Sequence, residues 1–272
     1  MDMFQKKDMP EGFSIFRKER NMAALIAFPI SMIPMILLFL FVRNKAGTGE
    51  EWKRRCKAYL LKGLPTVLLA LLFSFIFNLI EAFSGIRNTN PVLVRLFHAF
   101  IVLALAEELS KGYNSLKVLK KEKAGGLSWL DFITAFMIVA MAFGVLESIA
   151  YAFATNPIQM FVRGITGMHA GYGFITGWFY GKGIRDNSKV LKITGFLISL
   201  FLHGLYDWML DPNVLELTEW IAVAAVSIAF LGFVLFVFMF FFYWKAGRNP
   251  KYTEPLIPAE EVKEEVPEAP QA

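Results

Sequence analysis

Cysteine and charge are what this sequence has least of. Its 272 residues include a single cysteine, Cys56, which excludes an intrachain disulfide and any site that needs two thiolates. Charged residues make up only 19%, against about 25% in an ordinary soluble domain. The largely polar tail of residues 1–21 does not read as a signal peptide, because the apolar stretch after it is broken by Pro29 and Pro34 and has no small-residue cleavage site. There is no internal repeat and no HExxH zinc motif. What fills the chain instead is apolar: 56% hydrophobic and 15% aromatic residues, 28 of them Phe, with a mean hydropathy of +0.49. That excess is too large for one buried core. It excludes a disordered chain, a collagen-like repeat and a disulfide scaffold, and it leaves a polytopic membrane protein.

A hydrocarbon layer about 30 Å thick is crossed by roughly 20 largely apolar residues in a helix. Seven stretches qualify, at about 22–42, 60–84, 92–116, 129–154, 158–181, 190–210 and 219–244. The expected fold is therefore all-α, with about seven transmembrane helices in one bundle. Residues 1–21 form a polar N-terminal tail, 22–244 the bundle, with a core at about 90–210, and 245–272 a disordered cytoplasmic tail. From Pro250 onward the tail holds five prolines and six glutamates without an apolar period, a composition that cannot bury enough surface to order itself.

A net charge of +5 and a pI near 9.2 would suggest nucleic acid in a soluble protein. In a membrane protein the same residues mark cytoplasmic loops, so no nucleic-acid partner is expected. Lys117, Lys120, Lys121 and Lys123 follow the third stretch, Lys182, Arg185, Lys189 and Lys192 the fifth, and Lys245, Arg248 and Lys251 the seventh, whereas the link between the sixth and seventh holds Asp211, Glu216 and Glu219. These place the chain in the cell membrane with its C-terminus cytoplasmic. Lys53, Arg54, Arg55 and Lys57 then lie in an inside loop. Only the basic residues of the first 21 conflict with this, since seven spans put them outside.

Ionisable side chains inside spans are expensive and usually face the bundle interior. Four clusters stand out. Glu107 and Lys111 are one turn apart on a shared face, with Glu108 about 100° around the helix. Two carboxylates and one ammonium leave net negative charge in a poorly solvated place, a setting that suits general acid or base work. The plainer reading is a charged pair at the membrane boundary. Glu147 follows eighteen mostly apolar residues in the run Phe143-Gly144-Val145-Leu146-Glu147, so it must be protonated or paired with another helix; Tyr151 is one turn on. His169 lies mid-span among glycines. Gly167/Gly171 and Gly173/Gly177/Gly181 repeat every four residues and permit very close helix approach, which would enclose His169 in a central helix rather than leave it as a simple core histidine. Arg163, near the outer end of that span, is either a boundary anchor or a carboxylate partner. His203 and Asp207 are one turn apart, and a carboxylate beside an imidazole orients its tautomer. Glu81 and His98 stand outside these clusters and read as structural.

Together the clusters converge on one polar centre within the bilayer. A water-activating hydrolase, a proton- or ion-coupled transporter and a metal site could each use it.

The ordered set EExxK (Glu107, Glu108, Lys111), FxxxE (Phe143, Glu147), a separate His169, and HxxxD (His203, Asp207) resembles the PrsW family of intramembrane proteases, relatives of the CAAX-prenyl and bacteriocin-processing proteases. The resemblance spans roughly residues 90–210. It implies a glutamate-dependent, metal-independent and cofactor-free endopeptidase, whose substrate is a single-span membrane protein such as a membrane-anchored anti-sigma factor. On that pattern Glu107 or Glu108 activates the water, and Glu147 stands where CAAX enzymes have a histidine. His203 with Asp207 supports the oxyanion. Lys111 falls one position before the CAAX arginine, and His169 has no assigned role. The competing classes are a transporter, against which the absence of an inverted repeat counts, and a non-catalytic scaffold for single-span partners. Nothing in the sequence sets the oligomeric state. Straight spans would leave Glu147 closer to the outer surface than Glu108, and tilt would level them.

Overall fold

The computed structural model describes residues 29–30, 32–46, 49–123, 126–152, 167–211, 214 and 219–258. The chain is a helical bundle. Helix α1 (Met32–Asn44) widens into a π turn at Val42–Ala46. Helix α2 (Gly49–Leu60) and α3 (Gly63–Phe83) follow almost without interruption, and a 3-10 turn at Ile86–Asn88 leads on. A long rod then runs as α4 (Pro91–Phe97), a π segment (His98–Leu105) and α5 (Ala106–Glu122). Next come α6 (Trp129–Ala152), α7 (Met168–Arg185), α8 (Lys189–Leu210), α9 (Glu219–Ala246) and the single turn α10 (Pro250–Thr253). Two short strands, β1 (Leu127–Ser128) and β2 (Pro255–Ile257), pair antiparallel.

Local chemistry sets several of these boundaries. Asn90 starts the rod by accepting a 2.8 Å hydrogen bond from the Val92 N–H, with Pro91 in the first turn, where its missing N–H is harmless. Ser188 caps α8 in the same way, accepting from the Leu191 N–H.

Length and hydropathy single out four membrane-crossing helices among the described residues: Gly49–Phe83, Trp129–Ile149, Lys189–Leu210 and Val226–Ala246, with Met32–Asn44 apolar but shorter. The third sequence stretch is helical throughout but carries the charges of α5, and it runs on past residue 116 to Glu122. The fifth is described only from residue 167.

Two sequence expectations change. The basic stretch around Lys53–Lys57 is a helix rather than a loop, because its charges are paired. Buried Arg55 donates through Nη1 to Asp131 Oδ1 at 2.9 Å and to the Gly126 carbonyl at 3.0 Å. Arg54 pairs with Glu51 and with Glu122 at the end of α5. These contacts staple α2 to the α5–α6 connection. Disorder from residue 245 also fails for the first part of the tail. Lys245 and Ala246 finish α9, Asn249 caps α10, and Pro255–Ile257 pairs with Leu127–Ser128. The remainder of the tail, like residues 1–28, lies outside the described residues.

In the core, α6 packs most extensively on α7, and α7 on α8; α8 lies against the π segment and α5 against α6, which closes a ring of four. Helix α6 is buried on all sides from Trp129 to Phe143, so the centre of the bundle is the α6–α7 pair rather than α7 alone. The glycine spacing explains their approach: a Cβ on Gly177 would lie 2.7 Å from the Phe132 carbonyl oxygen and 2.8 Å from Ile133 Cα. The outer faces of α3, α8 and α9 carry exposed Leu, Ile and Phe, as a lipid-facing surface requires.

Candidate active site

The ring of α5, α6, α7 and α8 brings the four sequence clusters into one connected network. Lys111, 2% exposed, is its hub. Its Nζ donates to Glu107 Oε2 at 3.1 Å and to Glu108 Oε1 at 2.9 Å, lies 3.0 Å from His169 Nδ1, and stands 4.4 Å above the Phe143 ring. An ammonium can only donate, so His169 accepts at Nδ1 and its Nε2–H is left to donate to Glu147 Oε2 at 2.7 Å. His203 places Nδ1 2.9 Å from Glu108 Oε1. Its Nε2 lies 3.3 Å from Asp207 Oδ2 and 3.5 Å from Glu107 Oε2, without hydrogen-bonding geometry to either.

Glu147 and Glu108 are joined through His169 and Lys111 by contacts of no more than about hydrogen-bond length. The rod contributes through its π segment, which ends just before Glu107. Bonding i to i+5 rather than i to i+4 changes the angular phase of the residues that follow, and both adjacent carboxylates are buried.

Tyr172 was not singled out by the sequence. Its ring stacks on His203 with centroids 5.0 Å apart and planes at 26°. The signal is the three-residue spacing from His169, which sets both side chains on one face of α7. Between Met168, His169, Tyr172, His203 and Tyr206 lies a space of about 10 Å³, close to that of one water molecule. Gly144 makes room on the other side: a Cβ there would lie 2.6 Å from His169 Cδ2. Gly144→Ala is therefore expected to push the imidazole off Glu147 and to lower turnover, while the unfolding temperature changes little; equal losses in both would reduce Gly144 to a packing residue.

Two sequence candidates are not part of this picture. Arg163 lies outside the described residues, and Tyr151 is described only by its backbone, in α6.

A profile of the PrsW family, described as intramembrane metalloproteases, matches residues 50–244. The chain belongs to the PrsW family. Two curated relatives are named Protease PrsW. The one from Geobacillus kaustophilus (strain HTA426) is 28% identical over 125 residues, covering 44% of this chain and 49% of the relative. The one from Shouchella clausii (strain KSM-K16) is 29% identical over 106 residues, covering 32% and 49%. The chain thus spans about half the length of the curated relatives it matches. No solved structure matches it.

The PrsW description implies a metal, which the residues present can test. Glu107, His169 and His203 offer donor atoms that all lie within 4.8 Å of one another, and two imidazoles with one carboxylate suit a catalytic zinc ion. The arrangement nevertheless does not fit one. Both ring nitrogens of His169 are engaged, by Lys111 and Glu147. The Lys111 ammonium already lies against Glu107 and His169, so a divalent ion would have to displace a buried cation from two of its three ligands.

Proposed function

We propose that this chain is an intramembrane endopeptidase that cleaves single-span membrane proteins, such as membrane-anchored anti-sigma factors, with a glutamate-activated water and no metal. Supporting this reading are its membership of the PrsW family, the name its relatives carry and, above all, one observation. Two carboxylates of α5 meet His203 of α8 beside a buried space the size of a water, with Lys111 balancing their charge.

The roles follow from what each group is already committed to. Glu108 is held by two donors, Lys111 and His203, and its task is to orient them. Glu107 accepts one hydrogen bond from Lys111 and faces His203 Nε2, so it is the base that takes the proton of the attacking water. His203, doubly protonated between Glu108 at Nδ1 and Asp207 beside Nε2, presents its Nε2–H to the developing oxyanion, where a fixed donor in a poorly solvated site is most effective. Glu107 then gives the proton it took from the water to the leaving amine, while the Glu147–His169 pair holds Lys111 in place beside it. The substrate helix must unwind locally, since its backbone hydrogen bonds cover the carbonyls; small residues near the cut ease this. The catalytic core is residues 90–210, and the C-terminus is cytoplasmic.

The test is cleavage of a membrane-anchored substrate in proteoliposomes by the wild type and by Glu108→Gln, Glu147→Gln and His203→Ala. Cleavage retained in all three would overturn the glutamate mechanism. Chelation with EDTA or phenanthroline is expected to leave the rate unchanged, and the purified protein to hold well under one equivalent of zinc by elemental analysis. Loss of cleavage on chelation, restored by zinc, would make the enzyme a metalloprotease.

A further inference from the structure

A second polar cluster lies at the end of the bundle away from Lys117 and Lys120, and the peptidase reading leaves it without a task. A cavity of about 390 Å³ opens between the end of α3, the 3-10 turn, α4 and the end of α8, lined by Glu81, Arg87, Val94, Arg95, His98 and Asp211 among others. Glu81 is 4% exposed. Its Oε1 accepts from Arg87 Nε at 3.0 Å, and its Oε2 lies 2.8 Å from His98 Nδ1. Arg95 donates through Nη1 alone to both oxygens of Asp211, at 2.8 and 2.7 Å.

Each guanidinium is thus fixed by one of its nitrogens. The remaining N–H groups of both have no partner among the described residues, and a guanidinium carries five in a rigid fork. Two oriented forks around one cavity suit a phosphate, which accepts several charge-assisted hydrogen bonds at once. The cavity also lies where α3 and α8 run out of apolar sequence, at Phe83 and Leu210. Beside it Leu79, Ile80 and Phe83 of α3 and Leu93 of α4 are exposed, Phe83 by 86%. A fixed anion-binding fork above bare apolar helix faces matches a molecule with a phosphate at one end and hydrocarbon at the other.

We propose that this cavity binds the headgroup phosphate of an anionic phospholipid, with Arg87 and Arg95 as donors and the acyl chains against Phe83, Ile80 and Leu93. The site is independent of whether the chain cleaves peptides. Because Arg95 lies in α4, just before the π segment that leads to Glu107, bound lipid also tethers the rod that carries both α5 carboxylates.

The experiment uses the full chain in nanodiscs and in detergent, with native mass spectrometry and titration with short-chain phosphatidylglycerol, phosphatidylcholine and inorganic phosphate. Phosphatidylglycerol is expected to bind more tightly than phosphatidylcholine, and inorganic phosphate not to displace it at equal concentration. Arg87→Gln and Arg95→Gln should each weaken binding by about tenfold, the value of one charge-assisted hydrogen bond, while Arg185→Gln at the opposite end leaves it unchanged. Asp211→Asn serves as a second, independent variant: it removes a competing carboxylate and frees Arg95, so phosphatidylglycerol binding should tighten even where stability falls. No difference between the two lipids, equal weakening by Arg185→Gln, full displacement by inorganic phosphate, or weaker binding in Asp211→Asn would each overturn the proposal.

Discussion

Glu107→Gln is expected to slow cleavage of a membrane-anchored substrate by 10²–10⁴-fold, the usual contribution of a general base, while the protein unfolds at nearly the wild-type temperature. The amide keeps the shape and can still accept from Lys111, so the loss should fall on the chemistry. Glu108→Gln provides the contrast. Glu108 is a buried partner of both Lys111 and His203, and neutralising it leaves an ammonium and an imidazolium short of a counter-charge. That variant should lose both activity and stability. Rates in proteoliposomes and thermal unfolding in detergent separate the two outcomes. A fully active Glu107→Gln beside a dead but stable Glu108→Gln would move the base to Glu108.

Lys111→Met should have the largest effect on stability. Removing one partner of a buried ion pair typically costs about 3–5 kcal/mol, because the other charge stays behind. Here two carboxylates and a histidine lose their common donor at once. Thermal unfolding should report a loss of at least that order. The variant should also change what the site binds. Without an ammonium against Glu107 and His169, the three donors within 4.8 Å are left to a divalent cation, so Lys111→Met should take up zinc where the wild type does not. Zinc uptake equal in both proteins would show that Lys111 does not exclude the metal.

Much of this site is written in the sequence because membrane burial makes a charge conspicuous. Glu107, Glu108, Glu147 and Asp207 stand out against apolar runs, and the four-residue spacings of Glu107–Lys111 and His203–Asp207 follow from helix geometry alone. The spacing does not say which cluster touches which. That Lys111 reaches His169, and so couples the α5 glutamates to Glu147, depends on how α6 and α7 nest at their glycines. Tyr172 is hidden for the opposite reason, since an aromatic residue in an aromatic-rich helix carries no local signal until its ring is found on His203. Glu81 and His98 look isolated because their partnership joins residues 17 apart across a helix turn and a loop. The same long-range closure explains the tail: Pro255–Ile257 has no apolar period, and it is ordered by the strand it meets.

That strand pair fixes a parity. Hydrogen bonds between Leu127–Ser128 and Pro255–Ile257 require both ends of the intervening chain to lie on the same side of the membrane, so the chain between them crosses an even number of times. Helices α6, α8 and α9 account for three crossings, so the segment between α6 and α8, which contains α7, supplies an odd number more. A glycosylation or protease-accessibility marker placed after the tail therefore also reports the side of the Lys117–Lys123 stretch, and the two cannot disagree while the strands remain paired.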